Sequence, residues 1–122
     1  MTHEILQDIL YSIKHNTVKY TEFSNEHFMY ELFGEKNKLL MSAEVFDTKI
    51  PRATIKINNK HFAHINHFAQ TVEQFTNNYC VWNIISHFAE KNAMQYGVFE
   101  NHMTKKEIAI SKFLHENSIR KY

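Results

Sequence analysis

Residues 60–96 read KHFAHINHFAQTVEQFTNNYCVWNIISHFAEKNAMQY, and this stretch decides the fold. It carries the only Trp, the only Cys, four of the nine His and four of the ten Phe. Between Tyr79 and Ala89 the apolar residues Tyr79, Val81, Trp82, Ile84, Ile85, Phe88 and Ala89 fall on almost every side of a helical wheel. A helix that is apolar nearly all round must be covered nearly all round. The stretch therefore predicts a central helix over about 79–96 on which the other elements pack. Asn77-Asn78 separates it from a shorter helix over 67–77, capped by Asn66, and Tyr96-Gly97 is its stop.

Upstream of that helix the period changes. ATIKI (53–57) reads as a strand, Asn58-Asn59 can supply the positive φ angles of a tight turn, and KHFAHI (60–65) returns antiparallel. Ile55 would then face Phe62. The same residues also fit a helix from 61 through Phe62, Ile65, Ala69, Val72 and Phe75, and the hairpin is preferred. LLMSAEVF (39–46) alternates and is read as a strand, and Pro51 marks the connection that follows it.

At the N-terminus, Thr2 caps a helix over about 3–15 with Ile5, Leu6, Ile9, Leu10 and Ile13 on one face and Asn16 as a left-handed stop. TVKYTEF (17–23) follows as a strand. Ser24 is then read as the cap of a second helix, with Phe23 and Phe28 as its staple, Phe28, Met29, Leu32 and Phe33 as its buried face, and Gly34 as its end. EKNK (35–38) is a loop. Beyond the central helix, Thr104 and Glu107 form a capping box ahead of a helix over 105–117 that buries Ile110, Phe113 and Leu114. The sum is an α+β fold in a single domain over 1–122. It has an N-terminal helix, a short antiparallel sheet of three to four strands, and C-terminal helices packed around the central one.

Composition narrows the function classes. An apolar fraction of 43% and a charged fraction of 22% are those of a globular chain. A formal net charge of +1 excludes a histone-like binder or an acidic mimic of nucleic acid. One Cys cannot form an internal disulfide, and MTHEILQDIL has acids where a secretion signal needs bases. No apolar run reaches the roughly 18 residues of a membrane span. These features lead us to expect a cytoplasmic protein with no membrane partner. Lys outnumbers Arg twelve to two and Asn, Ile, Phe and Tyr are frequent, which suits an AT-rich gene of a mobile element or phage.

Candidate sites follow from residue type and spacing. The spacing of His61, His64 and His67 is the first to suggest a metal site, with His87 further on. A zinc site needs three or four such ligands converging at about 2.0–2.3 Å. On a helix His67 drifts off the face, and on a hairpin His61 and His64 point to opposite sides. Solvated or core-edge histidines are therefore expected in place of a metal centre, and no cofactor. Cys80 with a nearby His would make a nucleophile pair, but its apolar neighbours Tyr79 and Val81 favour an inert buried thiol. With only Gly34 and Gly97 there is no glycine loop for phosphate.

The segment TKKEIAISKFLHENSIRKY clusters Lys105, Lys106, Lys112, Arg120 and Lys121 and is the candidate nucleic-acid surface. Finally, ten Phe, six Tyr, one Trp and five Met exceed what one small core readily covers. Some should face a partner. The expected function is a small non-enzymatic interaction protein, an inhibitor, immunity-type or adaptor protein, with a protein partner and a homo-oligomer open to it. A DNA-binding regulator using 104–122 is the second reading, and a histidine-based metal-dependent enzyme the third.

Overall fold

Thr2 opens α1 (His3–His15) by accepting a hydrogen bond from the Ile5 amide at 3.2 Å, with Glu4 in the first turn. Both place oxygen where the orphan N–H groups and the helix dipole favour it. The computed structural model describes residues 1–92. Leu6, Ile9 and Ile13 are buried, whereas Ile5 remains 42% exposed, so the apolar face is narrower than its spacing suggests. Asn16 does not adopt the left-handed stop. It stays extended, and its Nδ2 donates to the Ser12 carbonyl at 2.9 Å, which satisfies a terminal acceptor by side chain instead.

Five strands follow: β1 (Thr17–Ser24), β2 (His27–Phe33), β3 (Leu39–Phe46), β4 (Arg52–Ile57) and β5 (Lys60–His64). They form one antiparallel sheet whose spatial order is the chain order. The sheet therefore has more strands than the three to four expected. The added one is β2, which replaces the helix predicted after Ser24. Phe28, Tyr30 and Leu32 alternate toward the core, and β2 pairs on both sides, with β1 and with β3. Two ladders satisfy the backbone of these residues and bury a large side chain at every second position, which an isolated short helix could not match. The Ser24 hydroxyl still caps an amide, accepting from Glu26 N at 3.3 Å, but in a hairpin turn. Gly34 ends β2, where an added Cβ would lie 2.8 Å from the Leu40 side chain.

The β4–β5 hairpin forms as read, with φ of 53° at Asn58 and 64° at Asn59. Its register differs. Ile55 lies opposite Ala63 and Lys56 opposite His61, so Phe62 is the extra residue of a bulge and does not face Ile55. After β5, Asn66 does not cap a helix. Its side chain accepts from the Phe68 amide at 3.0 Å, closing a local turn.

The helix begins at Thr71. Its hydroxyl accepts from Gln74 N at 3.2 Å while Gln74 Oε1 accepts from Thr71 N at 3.2 Å, a complete capping box for α2 (Val72–Lys91). α2 runs unbroken through Asn77-Asn78, so the two helices expected over 67–77 and 79–96 are one. Asn costs only tenths of a kcal/mol in a helix, and here both side chains are used. Asn77 Nδ2 donates to the His64 carbonyl at 3.0 Å. Asn78, 2% exposed, accepts from Asn66 N at 2.8 Å and donates to Asn66 O at 2.9 Å. The Tyr96-Gly97 stop and the helix expected over 105–117 lie outside the described residues.

One core cluster joins these elements. It takes Leu6, Ile9 and Ile13 from α1, Tyr30, Leu32, Met41, Ala43, Val45, Ala53, Ile55 and Ala63 from one face of the sheet, and Cys80–Ala89 positions from α2. Phe88 stacks on Tyr30 with ring centres 5.5 Å apart, and Val81, Ile84 and Phe88 are fully buried. α2 lies over β4 and β5 and carries α1, which explains its burial on most sides. No helix among the described residues is long and apolar enough to cross a membrane.

Candidate functional site

Burying one face of the sheet fixes what the other presents, because successive side chains alternate. Three rows cross the outer face in register. Lys19, Glu31, Ser42, Lys56 and His61 form one row, Thr21, Met29, Glu44, Thr54 and His64 the next, and His27, Phe46 and Arg52 the third. None of these residues belongs to the core cluster, and the described helices pack on the opposite face.

The third row is built in detail. Phe23, at the end of β1, lies against the His27 imidazole with ring centres 4.6 Å apart. His27 stacks on Phe46 at 4.1 Å with the planes only 12° apart. The Arg52 guanidinium covers the far side of Phe46, 4.5 Å from its centre. Four side chains from β1, β2, β3 and β4 thus stand like plates in a rack, with a cation closing one end. His27 Nε2 and Glu44 Oε2 are 2.8 Å apart, so the imidazole donates to the carboxylate and is held upright between the two rings. Phe23 is 54% exposed, so one aromatic face at the end of the rack stays open.

The arrangement can do two things chemically. The ring edges and the open Phe23 face offer apolar contact at little entropic cost, since neighbours already fix the rotamers. The outward N–H groups of Arg52 and the Glu44 oxygen that does not bond His27 offer polar contact beside it. Because the inner ring faces are already taken up, nucleobases could not stack between the plates as they do on open aromatic platforms.

The histidines singled out in the sequence are distributed unevenly. The bulge at Phe62 restores His61 and His64 to the same face, contrary to the simple hairpin expectation, because the extra residue shifts the alternation by one. Their rings meet, with His61 Nε2 and His64 Nδ1 3.0 Å apart. One nitrogen must donate and the other accept. His67 lies in the following turn, edge-on to Phe68, and His87 sits on α2 bonded to the Asn83 carbonyl at 2.8 Å. Among the described residues no three His, Cys, Asp or Glu side chains gather as a metal site.

Cys80 and His64 do line one cleft of about 740 Å³, together with Asn66 and Asn77. The thiol is 6% exposed, and burial pushes its pKa up, opposed only in part by the N-terminal amine. A raised thiol pKa removes the thiolate that a nucleophile needs. A second cleft, of about 580 Å³, opens between α1 and α2 beside Leu10, Tyr11 and His87. Lys105, Lys106, Lys112, Arg120 and Lys121 lie outside the described residues.

The sequence reading missed Phe23, His27, Glu44, Phe46 and Arg52. They come from four strands and have no shared local spacing, so only the strand register could have gathered them. The class the fold defines is an α+β domain, a five-stranded antiparallel meander between an N-terminal helix and a long apolar one. No family model matches the chain, and no curated protein or solved structure matches it either.

Proposed function

We propose that this is a small cytoplasmic interaction protein, of the inhibitor, immunity or adaptor kind, that binds another protein through the outer face of its sheet. The observation that carries this reading is the rack Phe23–His27–Phe46–Arg52, ordered by Glu44 and left uncovered by any described helix. Aromatic and Arg side chains held in place ahead of binding are the residues that dominate protein interfaces. Arg52 closes the rack with a cation, and Lys19 and Lys56 lie on the same face two rows away beside Glu31, which suits a partner surface that sets a carboxylate beside an apolar patch. A mobile-element or phage origin accords with the AT-rich residue usage.

The test is quantitative affinity capture from the native host with the wild-type chain and with a Phe46→Ala/Arg52→Ala double variant, each with and without nuclease. A protein retained by the wild type and lost at least about tenfold with the variant is the expected result, a factor worth about 1.4 kcal/mol. Nuclease treatment should change nothing. Equal capture by both chains, or capture that nuclease abolishes, would remove the outer face from the function.

A further inference from the structure

The sheet has two edges, β1 and β5, and they are finished differently. β5 has five residues and a bulge at Phe62. It is also tied down: Asn77 Nδ2 donates to His64 O at 3.0 Å, and Ile65 N donates to Ala53 O at 3.0 Å. Shortness, bulging and cover are the usual protections of an edge. β1 has eight residues and no proline, and its one irregularity is confined to the Glu22/Ser24 end. From Thr17 to Thr21 it presents a regular row of outward N–H and C=O groups that no described strand takes up. Such a row is a template for another strand.

We propose that β1 pairs antiparallel with β1 of a second copy, about a two-fold axis at Tyr20, joining the two sheets edge to edge. This goes beyond the outer-face reading and does not rest on it. A two-fold normal to the sheet keeps faces together, so directly opposed residues must lie on the same face. Three central registers satisfy that condition. Centring on Lys19 sets the two ammonium groups directly opposite, which is repulsive. Centring on Thr21 sets Glu22 against Tyr20. Centring on Tyr20 sets Lys19 opposite Thr21, Thr17 opposite Phe23 and Val18 opposite Glu22, so no like charges face each other. The two Lys19 then fall diagonally, each beside Glu31 of its own β2.

The inner face supplies the second argument. Phe88, Tyr30 and Tyr20 form an aromatic row, with ring centres 5.5 and 5.3 Å apart, that ends half-buried at the β1 edge. In the Tyr20-centred register the row runs on through Tyr20 of the second copy and both rings are covered. Aromatic cross-strand pairs of this kind stabilise antiparallel sheets.

The register makes the test specific. Directly opposed residues have Cα atoms about 4.5–5.5 Å apart, within disulfide range. In a Cys80→Ala background, Tyr20→Cys should form a covalent dimer on mild oxidation. Lys19→Cys and Thr21→Cys should each link poorly alone but link to one another when mixed. Light scattering on the unmodified chain at micromolar concentration should give twice the monomer mass, which guards against a variant that fails to fold. A monomeric mass, or a dimer whose cross-linking does not follow this order, overturns the proposal.

Discussion

Removing the Asn78 side chain should destabilise the fold by about 1.5–4.5 kcal/mol, a large share of the roughly 5–15 kcal/mol of a small domain. The amide is 2% exposed and makes two bonds to one residue, accepting from Asn66 N at 2.8 Å and donating to Asn66 O at 2.9 Å. In Asn78→Ala the Asn66 carbonyl keeps a partner, because the Ala69 amide also donates to it at 3.2 Å. Its loss is therefore one ordinary hydrogen bond, about 0.5–1.5 kcal/mol. The Asn66 N–H is left without its acceptor, at about 1–3 kcal/mol. Asn78→Asp has the same shape but turns a carboxylate oxygen toward the Asn66 carbonyl, so at neutral pH it should cost more than the alanine. Burial and that carbonyl raise the introduced carboxyl's pKa in the folded state, so the penalty should shrink as pH falls through that raised value. Urea unfolding followed by Trp82 fluorescence reads both variants, since the only Trp is itself buried. A loss below about 0.5 kcal/mol for Asn78→Ala would refute the account of how α2 holds the loop after β5.

Three further outcomes follow from the same geometry. Burial, with Tyr20 second, pushes the Tyr30 pKa up from its ordinary value near 10 to about 12. The folded state therefore holds that proton more tightly, so the Tyr30 contribution to stability should be constant below pH 10 and fall by about 2–3 kcal/mol between pH 10 and 12. Tyr30→Phe should flatten that slope in alkaline urea titrations. Cys80 should react with a thiol reagent far more slowly in the native protein than in urea, and a fast native reaction would contradict its burial. Glu44→Gln should cost less than about 1 kcal/mol by thermal unfolding, because both partners of the His27 pair are partly exposed.

How much was legible in the sequence depended on how local the deciding interaction is. α1, β1 and the β4–β5 turn rest on caps, alternation and Asn backbone freedom within a few residues, and they were read correctly. β2 was not, because apolar Met29 and Phe33 on its outer face mask the Phe28, Tyr30, Leu32 alternation and complete a helical spacing. The start of α2 was legible and passed over: Thr71-Val72-Glu73-Gln74 is itself a capping-box sequence. The Asn77-Asn78 break was misread because the partners of those amides, His64 and Asn66, lie about a dozen residues upstream in the chain. The outer-face rack was illegible for the same reason, more strongly. Its members are brought together only by the register of four strands, which no spacing within one segment encodes.

The central claim, that the outer face is the binding surface, is tested most directly by where a partner touches the chain. A photo-reactive aromatic residue placed at position 46 sits inside the rack. One placed at position 11 sits on α1, where Tyr11 is 67% exposed and far from the rack in the fold. Irradiation in the native host should cross-link the position-46 chain to one dominant protein and leave the position-11 chain essentially unlinked. A dominant cross-link from position 11 with none from position 46 would contradict the account and move the binding surface to the helices.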